Sequence, residues 1–134
     1  MLPYVAWKEF YSVGDPFLDA QHKQVLAVIN ELYDAMQEHK DRAVVKPILG
    51  RLLEYTLAHF KYEEQVMQEH EYPDFAPHKA AHDRIRQRTR DLLENVDVVT
   101  GRDLLHFLKE WWVGHIQGLD KKYKPYLELS SSRR

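Results

Sequence analysis

Apolar residues in this chain recur at spacings of three and four along four long stretches, the period of helices that bury one face. Val25, Leu26, Ile29, Leu32, Tyr33 and Met36 make the first stripe, which predicts a helix ending at about Glu38. Asp19 is placed to cap its start. Residues 1–18 lack this period and carry the turn formers Gly14, Asp15 and Pro16, so they read as an irregular arm. Leu52, Leu53, Tyr55, Thr56, Phe60 and Met67 mark a second helix from near Asp41 to about Glu69, with Pro47 in a first turn or at a kink. After a turn at Glu71–Pro73, Asp74 caps a third helix that takes Pro77 in its first turn and carries Ile85, Leu92, Leu93 and Val96. Thr100 and Asp103 form a capping-box pattern before a fourth, which carries Leu104, Leu105, Leu108, Trp111, Trp112 and Ile116. No stretch reads clearly as a strand, and the loops are short. The pattern therefore predicts an all-α fold: an antiparallel up-down-up-down four-helix bundle with an irregular N-terminal arm, one domain over residues 1–134.

Polar residues interrupt these stripes in an ordered way. His59 and Glu63 are four apart, so a helix stacks them on one face among apolar neighbours. A solvent-side hydrogen bond is the plain reading of such a pair; a shared metal ion is the sharper one. His78 and His82 repeat the spacing on the third helix. His22 lies near the start of the first helix, and His115 and Asp120 near the end of the fourth. In an antiparallel bundle, the starts of helices one and three lie beside the ends of two and four. All seven side chains therefore reach one end of one core.

Composition narrows the chemistry. The chain has 134 residues and 44% hydrophobic content, enough for a real core. Its net charge of −2 offers no basic surface for nucleic acid or an anionic membrane. No apolar run is long enough for a membrane span, and MLPYVAWKEF lacks the pattern of a signal peptide, so a cytoplasmic protein is expected. Cysteine is absent, which removes disulfides and thiolate metal sites. Eight histidines stand out instead, and imidazole with carboxylate suits iron, copper, nickel or zinc.

Five imidazoles and two carboxylates exceed one tetrahedral site and suit two metals. If Glu63 and Asp120 each bridge, with one oxo or hydroxo group beside them, a metal with three histidines is saturated. A metal with two keeps one open position, where a small diatomic ligand can enter. One spacing is awkward: His115 and Asp120 are five apart and would splay on an ideal α-helix. A π-type widening, or loosening near Gly118, would bring both inward.

The order His, His-x3-Glu, His-x3-His, His-x4-Asp resembles the hemerythrin family, its single-domain bacterial members above all. Trp7 and the segments DPFLDAQHKQV, HFKYEEQVM, YPDFAPHKAAHD and WWVGHIQGLDKKY carry the resemblance from Trp7 to about Tyr126. The resemblance implies two iron ions with an oxo or hydroxo bridge. His78, His82 and His115 would hold the six-coordinate iron, His22 and His59 the five-coordinate one, and Glu63 and Asp120 would bridge. Dioxygen would bind end-on at the His22/His59 iron, in a pocket lined by Val25, Phe60, Trp112 and Ile116. The implied role is reversible oxygen binding for carriage, storage or delivery, without enzyme activity. The other roles in view are an oxygen or redox sensor read by a protein partner, and an oxidoreductase acting on peroxide or nitric oxide. Tyr123 is the nearest acid–base residue beyond the ligands. Trp112 departs from the family pattern, which is generally aliphatic three residues before the fourth-helix histidine.

The remaining polar residues read as structural. His39, His70 and His106 are expected outside the site, His39 at a helix C-terminus where a cation suits the dipole. Glu64 is expected to face solvent, about 100° from Glu63. Trp7, Phe60, Trp111, Trp112 and Tyr123 are expected in the core. The tail ELSSSRR is expected to be disordered and the protein monomeric.

Overall fold

A computed structural model describes residues 4–132, and these form a four-helix bundle with no strand among them. Helix α1 spans Pro16–Gln37, α2 Asp41–Glu69 and α3 Phe75–Glu94. The fourth rod is continuous but has three parts: α4 (Gly101–Glu110), a π-helical segment (Trp111–Asp120) and α5 (Lys121–Ser132). None of these helices is long and apolar enough to cross a membrane.

The start of α1 differs from the sequence expectation. Asp15, not Asp19, is the N-cap: its carboxylate accepts from Phe17 N at 2.8 Å and Leu18 N at 3.0 Å. Pro16 follows at the first helical position, where its fixed φ suits a helix and its missing N–H is no loss. Asp19 instead accepts from Ser12 Oγ at 2.6 Å and Val13 N at 2.8 Å, pinning the arm to the helix. The arm is also less irregular than expected, with a 3-10 turn at Glu9–Tyr11.

Other boundaries shift for local reasons. Pro47 lies inside α2, past its first turn. Asp74 sits at the N-cap of α3, but its side chain makes no capping bond. Val96 falls beyond α3, in a 3-10 turn at Val96–Val98. Helices α1 and α2 end alike. His39 (φ 57°) and Glu71 (φ 53°) take the left-handed conformation, and Lys40 N and Tyr72 N reach back to Ala35 O and Met67 O. These reversals fold each chain end onto the next helix. The expectation of a disordered tail is corrected as far as Ser132, which is helical; Arg133 and Arg134 lie outside the described residues.

Thr100 and Asp103 form the expected capping box, with reciprocal 3.0 Å bonds. The π-helical segment then resolves the awkward His-x4-Asp spacing. A turn closed by i→i+5 bonds is wider than an α turn, so residues five apart return to nearly the same face.

The core has two apolar layers. The larger includes Val25, Ile29, Leu52, Phe60, Leu104, Leu108 and Ile116. The smaller, toward α5, holds Val13, Leu18, Val66, Met67, Tyr72, Tyr123 and Leu127. On α1, α2 and the fourth rod, the residues between the two layers are His22, Glu63 and Asp120. The bundle is thus apolar, polar and apolar along its axis.

The caps give a direct test. Asp15→Ala and Thr100→Ala are each expected to cost about 1 kcal/mol, the usual worth of a lost cap. Equilibrium chemical denaturation measures this. Asp15→Ala at wild-type stability would return the cap to Asp19.

Candidate metal centre

The described residues bury nine polar or charged side chains almost completely. Two are threonines, Thr56 and Thr89, satisfied by the carbonyls of Leu53 and Ile85 at 2.8 Å. The other seven are His22, His59, Glu63, His78, His82, His115 and Asp120. The structure brings these seven together. His22 comes from the second turn of α1, and His59 and Glu63 from the second half of α2. His78 and His82 come from the first half of α3, and His115 and Asp120 from the π-helical segment.

The two carboxylates divide their oxygens. Glu63 Oε1 lies 3.0 Å from both His78 Nε2 and His82 Nε2, and 4.0 Å from His115 Nε2. Glu63 Oε2 lies 3.2 Å from His59 Nε2 and 3.4 Å from His22 Nε2. Asp120 repeats the division. Its Oδ1 lies 2.8 Å from His78 Nε2 and 3.1 Å from His115 Nε2, and its Oδ2 lies 3.1 Å from His22 Nε2. Each carboxylate therefore divides its oxygens: Glu63 turns one to His78, His82 and His115 and the other to His22 and His59, while Asp120 turns one to His78 and His115 and the other to His22. The ligating atoms of Glu63, His78, His82, His115 and Asp120 lie within 4.8 Å of one another, and so do those of His22, His59 and Glu63.

Glu63 is hydrogen-bonded to His22, His78, His82 and Tyr123, but the rest of the cluster is not satisfied in this way. His115 Nε2 and both Asp120 oxygens are buried without a hydrogen-bond partner. Buried polar atoms rarely stay unpaired, because each forfeits its hydration. These atoms converge on shared space instead of pointing at one another, as donors around a cation do. The residue types agree: neutral imidazoles and carboxylates without thiolates.

The electrostatics follow from burying two carboxylates among five imidazoles. For His22, burial favours the neutral ring, but contacts with Asp120 and Glu63 outweigh it and push the pKa up to about 10. His78 reaches about 9 by the same balance, and His82 is also raised. For His59 burial wins, and its pKa falls. Burial acts to raise Glu63, yet its four histidine contacts hold it well below the usual carboxylate range. Asp120 is also depressed, its histidine contacts overcoming burial and the Glu63 charge.

A ring of supporting contacts fixes the imidazoles. His59 Nδ1 donates to Gln21 Oε1, and Tyr55 stacks on the ring at 4.9 Å. His82 Nδ1 donates to Glu64 Oε2 at 2.7 Å, and Arg86 donates to the same oxygen at 3.0 Å. Phe60 stacks on His82 at 3.8 Å. Tyr123 Oη donates to Glu63 Oε2 at 3.2 Å. Holding the Nδ1 protons of His59 and His82 outward leaves their Nε2 lone pairs free to face the centre.

Glu64 is a correction: it does not face solvent but is tied to His82 and Arg86. The signal was present, since His78, His82 and Arg86 form one four-residue stripe whose last member needs an acid partner. Gln21 was also missed, and its position beside His22 carries no pattern of its own. His39, His70 and His106 lie away from the seven. His70 Nδ1 contacts Val66 O, and His106 pairs with Glu110 on the surface. Val25, Phe60, Trp112 and Ile116 share the larger apolar layer. Trp112 meets Tyr11 of the arm edge-on at 5.1 Å.

A helical bundle whose buried ionisable layer, among the described residues, is made of five imidazoles and two carboxylates with His115 Nε2 and both Asp120 oxygens left unpaired holds a metal site. Residues 13–127 match the hemerythrin HHE cation binding domain. The chain is 36% identical to bacteriohemerythrin from Methylococcus capsulatus over 114 residues, covering 83% of this chain and 86% of that protein. It is 34% identical to myohemerythrin from Sipunculus nudus over 122 residues, covering 91% and 92%. A crystal structure of wild-type hemerythrin superposes with a TM-score of 0.79 at 32% identity, covering 92% of this chain and 98% of that one. The chain belongs to the hemerythrin family and is similar to the bacteriohemerythrins.

The charge layer predicts how the metal-free protein responds to pH. His22 and His78 hold protons that an unfolded chain releases near 6.5, so their contribution is complete below 6.5 and lost as pH rises through about 9 and 10. Glu63 and Asp120 contribute above their unfolded values, 4.5 and 3.8, and lose this as pH falls through their folded values. His59 opposes folding below 6.5, which moves the optimum toward that end. Thermal melts of chelated protein are expected to peak between about pH 4.5 and 6.5 and to fall by about pH 9.5. A melting temperature that climbs across the alkaline range would sink this account.

Proposed function

We propose that the protein is a non-haem di-iron protein that binds dioxygen reversibly and acts in oxygen carriage, storage or delivery. The observation that carries this reading is the division of the carboxylate oxygens. Glu63 turns one oxygen to His78 and His82 and the other to His22 and His59, and Asp120 turns one oxygen to His78 and His115 and the other to His22. Two cations held in this way would share both carboxylates. His78, His82 and His115 would hold one, and His22 and His59 the other. With one imidazole fewer, the second position keeps room for a small ligand.

Two iron ions joined by an oxo or hydroxo bridge would supply the two electrons that dioxygen takes on binding and gives back on release. The chain's own residues do the rest. Gln21 and Glu64 keep the Nδ1 protons of His59 and His82 turned outward. Tyr123 fixes the Glu63 oxygen that faces His22 and His59. Val25, Phe60, Trp112 and Ile116 form the apolar wall that excludes water from the open side. Excluding water and protons favours release of dioxygen intact over its loss as peroxide. Membership of the hemerythrin family supports the same reading.

One optical oxygen cycle tests the reading. The iron-loaded protein is reduced anaerobically, exposed to oxygen and then sparged. A visible charge-transfer band is expected to appear and then disappear. Direct passage to a stable diferric spectrum would replace carriage with sensing or oxidase chemistry. Trp112→Leu is expected to speed both oxygen entry and autoxidation by opening the apolar wall. Stopped-flow rates unchanged from wild type would place the indole away from the route.

A further inference from the structure

The smaller apolar layer is rich in tyrosine, and its tyrosines touch in series. Tyr123 is fully buried and donates to Glu63 Oε2 at 3.2 Å. Its ring meets Tyr72 edge-on, with centroids 6.1 Å apart. Tyr72, also buried, meets Tyr126 at 5.1 Å. Tyr126 is 40% exposed. Three phenols thus run in contact from a carboxylate of the centre to the surface. Tyr55, the other tyrosine touching the centre, is itself half-buried; it stacks on His59 and meets Trp111, which is buried, so no series of phenols leads on from it. Packing alone asks only for aromatic bulk at positions 72 and 126, which phenylalanine would supply. Phenols add a side chain that can lose one electron, and electron exchange between rings falls steeply with separation, so touching rings exchange fastest.

We propose that Tyr123, Tyr72 and Tyr126 form an outlet that carries oxidising equivalents from the metal centre to the surface when hydrogen peroxide reaches the iron-loaded protein. The outlet rests on the di-iron reading of the centre. Hydrogen peroxide becomes two waters by breaking its O–O bond and taking up two electrons and two protons. Each electron is drawn along the three phenols. Tyr126 ends each passage one electron short, with its proton given to solvent, as a neutral phenoxyl. A small thiol in solution returns one hydrogen atom to it, and two such thiols pair as a disulfide after the second passage. The Tyr123 hydroxyl keeps its proton on the line to Glu63, so that inner ring can lose and regain an electron without a proton leaving the interior. The outlet spares the histidines from oxidation by moving the damage to a residue that solution reductants can reach.

The test treats iron-loaded protein with equimolar hydrogen peroxide and a nitroso spin trap, without thiol. Iron content is measured on the same sample, and tandem mass spectrometry locates the trapped label. Label is expected on Tyr126 and not on Tyr33 or Tyr62, which are half-buried and outside the series. Tyr72→Phe keeps the ring and is expected to abolish label at Tyr126, with iron content and optical spectrum unchanged. The metal-free protein is expected to stay unlabelled. Equal label on Tyr33, Tyr62 and Tyr126, or label on Tyr126 that survives Tyr72→Phe, would overturn the outlet. Iron-loaded protein with Tyr126 unlabelled overturns the outlet alone. A chain that takes up no iron overturns the di-iron reading and the outlet with it.

Discussion

Two carboxylates buried without any contact with water are the constraint on which the structure turns. Glu63 and Asp120 are fully enclosed, and an ionised carboxylate in such a place is strongly unfavourable unless cations or donors surround it. The bundle answers with five imidazoles from all four rods. That demand explains why the polar residues gather in a single layer. It also explains why apolar side chains close both ends of that layer. Imidazoles alone satisfy the charge only while they stay protonated, and the orphaned atoms of His115 and Asp120 show that hydrogen bonding leaves the layer incomplete. Cations shared between the carboxylates would complete it.

Much of this was legible in the sequence because two regular periods overlap. The 3.6-residue apolar period gives the four helices, and His59/Glu63 and His78/His82 obey the same period, so their facing follows directly. His22 was placeable through topology, since it needs only the correct end of the bundle. Asp120 was harder. Its spacing from His115 conflicts with an α-helix, and the conflict itself pointed to the π-helical segment that the structure contains. Boundaries were less legible. Asp15 and Asp19 both precede apolar residues, and only the bonds from Ser12 and Val13 show which one serves the arm. Contacts between helices were the least legible. Glu64 turns to His82 because α2 and α3 pack closely there, which no spacing along α2 alone reveals.

The arm contributes more than its lack of periodicity suggested. Lys121 donates to Phe10 O and lies over the Phe10 ring, while Lys23 lies over Trp7. Tyr11 then rests against Trp112. A segment without helical periodicity is thus held by its apolar side chains packed on the core, by cations on aromatic faces and by hydrogen bonds, and it covers the residue that departs from the family pattern. The indole is packed from both sides: the larger core layer on one, the arm on the other. Its bulk belongs to the fold as well as to the proposed pocket, and the arm and the apolar wall are physically one unit.

The π-helical segment has a consequence that reaches past the centre. Its wide turns re-phase everything downstream, so that Tyr123 and Leu127 of α5 share the bundle interior with Leu104 and Leu108 of α4, although a straight α-helix would carry the two sets on drifting faces. Removing one residue from Trp111–Asp120 would make the rod regular and locally more stable. It would also swing Asp120 away and rotate α5 off its seat in the same stroke. The surplus residue therefore acts as a lock on evolutionary drift: the chain cannot exchange chemistry for helical regularity in small steps, because the first step unseats both.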